Sequence, residues 1–211
     1  MSKDRVEAFS DGVFAVAITL LVLDLRVAGP GHGPLTTQLA NEWPSYSAYI
    51  VSFMVIGIIW VNHHTLLGRF ATVDRTLLFL NLLLLMFVTF IPFPTALLAQ
   101  YLRAGGRDSH VAAALYSVVV EGMGLSFTLM FAWGGRHPEL LRERIDRAQY
   151  RASMRQFGLG AIVYLFTIAL SFVSAQAALA THFAIAVFYI VDRTAAPGAS
   201  DTEDSASAAG P

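Results

Sequence analysis

Apolar residues dominate long stretches of this chain, and short breaks rich in Gly, Pro and charge separate them. About 20 mostly apolar residues, at 1.5 Å per residue, cross a hydrocarbon layer about 30 Å thick. The pattern predicts six such helices: Val6–Val27, Tyr46–Leu67, Leu77–Leu98, Val111–Trp133, Phe157–Ser174 and a shorter one over Ala177–Val191. The last two lie so close together that they predict a tight antiparallel hairpin. The run "IPFPT" (Ile91–Thr95) is expected to end or kink the third helix, because proline lacks the N–H that a helix interior needs. The fold class implied is all-α, a polytopic membrane protein. Residues 1–193 form one six-span domain, and the small, acidic stretch "TAAPGASDTEDSASAAGP" (194–211) is expected to be disordered.

Composition agrees with the pattern. The chain has 211 residues, 55% hydrophobic and only 14% charged, where a soluble domain carries about 25% charged residues. Mean hydropathy is +0.58. A net charge of −1 leaves no overall basic field, so no nucleic-acid partner is expected. The absence of cysteine excludes disulfides, thiolate metal sites and Cys nucleophiles. The first apolar run holds polar residues and lacks a small-residue cleavage site, so it reads as a retained helix, not a signal peptide.

The basic residues set an orientation. With the N-terminus inside, the inner segments hold Lys3 and ten arginines, and the outer loops hold only Arg26, Arg103 and Arg107. This bias predicts both termini in the cytoplasm and an even number of spans. Six of the inner arginines fall in "GGRHPELLRERIDRAQYRASMRQ" (Gly134–Gln156). That segment reads as a topogenic basic loop, with a short amphipathic surface helix as the alternative. Trp43, Tyr46, Trp133 and Tyr189 fall where interfacial anchors belong.

The first helix, "RVEAFSDGVFAVAITLLVLDL" (Arg5–Leu25), carries the candidate chemistry. At 100° per residue, Val16, Leu20 and Leu23 share a stripe about 60° wide, with Gly12 extending it and Thr19 beside it. Asp11 lies about 140° from Val16, so the polar residues and the stripe face different surroundings. A mid-helix Asp costs about 2.5–3.5 kcal/mol to insert, less near the end, and it needs a partner. Arg5 and the second helix are the candidates. The alternative is that Ser10 or Asp11 merely caps free N–H groups.

The second helix ends in "WVNHHTLLGR", which places Trp60, Asn62, His63 and His64 at the depth of Ser10 and Asp11. Adjacent histidines point about 100° apart, so one can face Asp11 while the other faces a headgroup or water. Each reads as a structural histidine, with proton sensing or a metal or haem ligand as alternatives. Asn81, alone in "FLNLLLLMF", reads as interhelical glue. Glu121, the acid nearest the middle of a span, is either a functional group or a neutral, hydrogen-bonded acid.

No HExxH, GxSxG or Walker motif and no carboxylate cluster of metal-ligand spacing occurs, so neither an enzyme nor a resident metal or cofactor is expected. The FSDG-bearing first helix followed by "WVNHH" resembles the endosomal and lysosomal potassium channel family of animals and its bacterial relatives. That family lacks a TVGYG filter, as this sequence does. The resemblance implies a bacterial plasma-membrane homotetramer, in contact with lipid, with the first helix of each subunit lining the pore. It places the constriction at Val16, Leu20 and Leu23 and a potassium preference at Thr19. It places the packing network at Arg5, Phe9, Ser10, Asp11, Trp60, His63 and His64. The permeant ion implied is K+, with Na+, Cs+ or H+ as lesser alternatives. Val16 departs from the Ile frequent in relatives, which implies a slightly wider ring. The rival readings are a proton channel using the same pore and a non-conducting scaffold or sensor.

Overall fold

The computed structural model describes residues 2–143 and 146–194. The acidic tail expected to be disordered lies, beyond Thr194, outside the described residues. The described residues form eight α-helices and two short 3-10 turns: α1 (Lys3–Leu20), α2 (Leu35–Asn41), α3 (Trp43–Gly68), α4 (Arg75–Phe90), α5 (Pro92–Tyr101), α6 (Gly106–Arg136), α7 (Arg147–Ser171) and α8 (Ala175–Thr194). Among the described residues, five segments are long and apolar enough to cross a membrane: Lys3–Asp24, Trp43–Gly68, Arg75–Tyr101, Gly106–Arg136 and Tyr150–Ser171. The sixth apolar helix, Ala175–Ile190, is shorter, as its short apolar run predicts.

The boundaries differ from the sequence pattern in ways the backbone explains. The first span begins at Lys3, and its α-helix tightens into a 3-10 turn over Leu21–Asp24. Leu25 is extended (φ −80, ψ 99), so the helical run stops before Val27. Leu23 therefore sits on 3-10 geometry, where residues three apart eclipse, and this stacks it on Leu20. The third span is two helices. Pro92 opens α5 without an N–H to give, Ile91 bonds back to Val88 O at 3.3 Å, and the ladder restarts with Thr95 N–H to Ile91 O at 3.1 Å. α7 begins ten residues before the apolar run, at Arg147, where the Asp146 carboxylate caps Ala148 N–H at 3.0 Å.

The basic segment after α6 forms no separate amphipathic helix among the described residues. His137 ends α6, Pro138–Leu140 makes a 3-10 turn, and Leu141 pairs with Phe70 as an antiparallel bridge. Arg142 N–H donates to Arg69 O at 2.9 Å, and Ala71 N–H donates to Leu140 O at 2.8 Å. This stitch clasps the α3–α4 and α6–α7 connections at the end of the bundle where most arginines gather. Asp74 strengthens the same end. One carboxylate oxygen caps α4 at Leu77 N–H (2.8 Å) and the other accepts from Trp133 Nε1–H on α6 (3.1 Å). At the far end, a helix that the hydropathy pattern does not signal, α2, follows a turn in which Gly29, Gly31 and Gly33 all take positive φ. The Gln38 side chain clasps that turn through Gly29 N–H and O, both at 2.9 Å.

α6 is the hub of the bundle, packing on α3, α4, α5, α7 and α8. Tyr116, Met123 and Met130 on α6 are fully buried, as are Ile56 and Leu67 on α3 and Leu77 and Leu84 on α4. In lipid this burial gains no hydrophobic driving force between helices, so close packing and interhelical hydrogen bonds hold them. One such polar contact joins three helices: Ser52 Oγ meets Thr95 Oγ1 at 2.8 Å and donates to Tyr116 Oη at 3.1 Å. α7 and α8, joined by residues 172–174, pack against each other as the predicted hairpin requires.

Candidate pore-lining helix

α1 packs on α3 and α4 through Val6, Ser10, Phe14, Ala17 and Leu21, all buried. These recur every three or four residues, which makes one face of a helix. The face about 120° round the helix is bare within the subunit: Val16 is 56% exposed, Leu20 42% and Leu23 60%. Gly12 and Thr19 lie exposed on the same side. A Cβ added at Gly12 would meet no atom within 4 Å. The Thr19 hydroxyl donates to the carbonyls of Ala15 and Val16, at 2.9 Å each. Its single proton is thus held by its own helix, and its oxygen lone pairs are left free on the exposed side.

The buried face ends in a polar chain whose proton directions are forced. Ser10 Oγ–H donates to Val6 O at 2.8 Å. Ser10 therefore accepts from Asn81 Nδ2–H of α4, at 3.0 Å. The Asn81 Oδ1 must then accept, and its partner is His63 Nε2 of α3, at 2.7 Å. All three side chains are at most 2% exposed, so each hydrogen bond replaces contacts that water cannot supply. Phe14 packs against the His63 ring, centroid to centroid 5.3 Å. A second tie lies nearer the surface, where Trp60 Nε1–H donates to Asp11 Oδ1 at 2.9 Å.

The structure thus gathers Ser10, Asp11, Trp60 and His63 around the start of α1. It pairs Asp11 with Trp60, not with Arg5 or a histidine. The missing hub is Asn81, which the sequence marks only as a lone amide in an apolar run. His64 is exposed, its ring 6.4 Å from that of Trp60. Arg5 and Phe9 are exposed on the side of the bare stripe, outside this chain of hydrogen bonds. Lys3 and Glu7 form an ion pair at 3.1 Å on the other side of the helix. Glu121 and His182 lie away from α1, on a cavity between α3, α6, α7 and α8. Among the described residues, no three His, Asp or Glu side chains converge in a way that suits a metal ion.

Known proteins share this arrangement of sequence. A potassium channel of Streptomyces collinus is 50% identical over 194 residues, covering 92% of this chain and 94% of the relative. The chain belongs to the TMEM175 channel family. The family model described as "Endosomal/lysosomal potassium channel TMEM175" matches residues 5–92, which run from Arg5 through α4 and hold every member of the polar chain. The crystal structure of a lysosomal potassium-selective TMEM175 homolog from Chamaesiphon minutus superposes with a TM-score of 0.79. It is 38% identical and covers 92% of this chain and 98% of that one. The chicken endosomal/lysosomal proton channel TMEM175 is 38% identical over 153 residues, 68% of this chain but only 29% of that longer protein. TMEM175 members are membrane proteins without enzymatic chemistry, in keeping with the all-helical bundle.

Proposed function

We propose that this protein is a potassium-preferring leak channel, assembled as a homotetramer around four copies of α1. The observation that carries the reading is the bare apolar stripe of Val16, Leu20 and Leu23, about 120° round α1 from a face fixed by Ser10, Asn81 and His63. A helix anchored on one side offers its other side to a neighbour or an axis. The Streptomyces relative, matched over nearly its whole length, is named a potassium channel. The membrane would be the bacterial plasma membrane, with both termini and the arginine-rich end in the cytoplasm.

Rings of Val or Leu cannot coordinate a cation. Selectivity then comes from pore width, from the cost of stripping water off the ion and from the free lone pairs of Thr19. An apolar ring can also close by dewetting, so conduction is slow and discrimination against Na+ and Cs+ modest. Asp24, in the 3-10 turn that follows α1, would then concentrate cations at the outer mouth. Arg5, Phe9 and His64 then contact neighbouring subunits or lipid. A second reading, proton conduction through the same stripe, draws on the chicken relative's name.

The test is ion flux in proteoliposomes under separate K+, Na+ and H+ gradients, with Leu20→Asn and Leu23→Ala beside the parent protein. Potassium flux that rises or loses selectivity in both variants is the expected result. Flux carried by protons alone selects the second reading. Flux unchanged by either variant, in tetramers of verified orientation, removes the stripe from the pore.

A further inference from the structure

The cavity between α3, α6, α7 and α8 has a volume of about 300 Å3 and no residue of α1 in its wall. It is a slot that follows the helices. On α3 its lining runs from Arg69, at the C-terminal end of the helix, through Leu66 to Ile58. That stretch is about 16 Å of helix, and half of a hydrocarbon layer about 30 Å thick is about 15 Å. The slot thus has the depth of one membrane leaflet, and it starts at the arginine-rich end of the bundle. Its width comes from missing side chains. Gly124 on α6 and Gly158 on α7 line it, and a Cβ at either would meet nothing within 4 Å. Leu125, 53% exposed, and the exposed Gly158 stand on its rim, so it opens sideways to the membrane.

The two ends differ in charge. Glu121 is the only acid among the described lining residues, and it lies at the deep end, halfway along α6. His182 closes the floor without reaching into the slot: it is 1% exposed and is spent on its neighbours. Ser171 Oγ–H donates to Thr167 O at 2.9 Å, so Ser171 accepts from Ser117 Oγ–H at 3.1 Å. Ser117 then accepts from His182 Nε2–H at 3.0 Å. The mouth is cationic. Arg69 is exposed, and among the described residues its guanidinium has no hydrogen bond or ion pair. Its backbone is fixed, because Arg69 O accepts from Arg142 N–H at 2.9 Å. Arg151, also exposed, lies one turn before the lining residue Met154 on α7. Asn62 lines the slot about 10 Å below Arg69. It is half-buried, and among the described residues its amide has no partner. Thr65 and Thr128 spend their protons on Val61 O and Gly124 O, at 2.9 and 2.8 Å. On α3 the unspent donors therefore sit at the mouth and two turns below it, with apolar wall beyond.

We propose that this slot holds one acyl chain of an anionic phospholipid, whose phosphate pairs with Arg69. The Asn62 amide donates to an ester carbonyl below the phosphate, and the chain lies along Ile58, Ile59 and Gly124. A volume at the small end of ligand cavities admits one chain, so the other stays in the surrounding bilayer. Basic pockets between membrane helices at the inner surface take acidic headgroups. A lining carboxylate at the mouth would repel the phosphate, and the one present lies a leaflet's depth away. The site needs the arginine-rich end to meet a membrane surface; it does not need α1 to line a pore.

The experiment is native mass spectrometry of the delipidated full-length protein, titrated in detergent micelles with phosphatidylglycerol, and with phosphatidylcholine as its net-neutral counterpart. The variants are Arg69→Gln, Gly124→Leu and Gly158→Leu, each checked for folding by thermal unfolding in the same micelles. Arg107→Gln, at the opposite end of α6, is the control. Saturable phosphatidylglycerol binding is expected, with phosphatidylcholine about fivefold weaker, the worth of one arginine at a charged membrane surface. Arg69→Gln should lose that preference, and Arg107→Gln should keep it. Either glycine variant should bind both lipids about tenfold or more weakly, because leucine occupies the space of the chain. Equal affinity for the two lipids in the parent, or unchanged binding in Arg69→Gln or in both glycine variants, overturns the proposal. An equal loss in Arg107→Gln marks lipid gathered by general charge and overturns it too. So does displacement of the lipid by glycerol 3-phosphate, which would mark a site for the phosphate alone. The readout is binding and not flux, so its failure is distinct from failure of the pore assignment.

Discussion

Replacing Asn81 with leucine removes the hub that ties α1 to α3 and α4 while keeping the branching and the number of side-chain heavy atoms. Two interhelical hydrogen bonds disappear, at 3.0 Å to Ser10 and 2.7 Å to His63. Interhelical side-chain bonds in membranes average about 0.6 kcal/mol each. The two partners are not left alike. Ser10 keeps its own bond to Val6 O, at 2.8 Å, and loses only an acceptor role. His63 is 1% exposed and is left with a buried Nε2–H that has nowhere to go. An orphaned buried donor costs about 1–3 kcal/mol. The expected loss for Asn81→Leu is therefore about 2 kcal/mol, with the orphaned donor as the larger part. Reversible unfolding in mixed micelles, titrated with a denaturing detergent, measures it. The second arm is His63→Leu in the same background. Removing both partners leaves no orphan, so the double variant should be more stable than the sum of the single losses by about 1 kcal/mol. A loss below about 0.5 kcal/mol for Asn81→Leu, or strict additivity in the cycle, would refute the proton assignment along this chain.

Three further substitutions probe other parts of the bundle. A Cβ at Gly122 runs into the Phe87 ring of α4, so Gly122→Ala should cost about 1–3 kcal/mol in the same unfolding assay, the usual effect of overpacking. Asp74→Ala loses the α4 cap and the Trp133 bond together and should cost about 1–2 kcal/mol, while Asp74→Asn retains an acceptor and loses less. A Cβ at Gly12 meets nothing within the subunit, and losing a mid-helix glycine gains up to about 1 kcal/mol of helix propensity, so Gly12→Leu should leave the subunit as stable as before or slightly more so. If the bare stripe surrounds an axis, the same variant should cut flux sharply in proteoliposomes, and normal flux would count against that geometry.

Much of this protein is local and therefore readable from the chain. Six apolar runs, a proline break at Ile91–Thr95 and a short last helix follow from hydropathy and from the missing proline N–H, which act over a few residues. The stripe of Val16, Leu20 and Leu23 follows from helical period alone, and so does the separation of Asp11 from it. Depth was also legible, because residues at matching distances from span ends meet at one level, as the Trp60–Asp11 bond illustrates. Helix rotation about each axis was not legible. The bond from Asn81 to Ser10 spans 71 positions of sequence, and which side chain meets which depends on how α1, α3 and α4 turn toward one another. Phe14, Leu77 and Leu84 are buried in that packing. It gave Asp11 to Trp60, His63 to Asn81 and left Arg5 and His64 exposed. The same holds for His182, whose tautomer is dictated by a relay through α6 and α7 that no spacing along α8 encodes. Sequence determined which segments are apolar enough to cross a membrane and which face of α1 is apolar; packing alone decided which polar groups are satisfied and which are not.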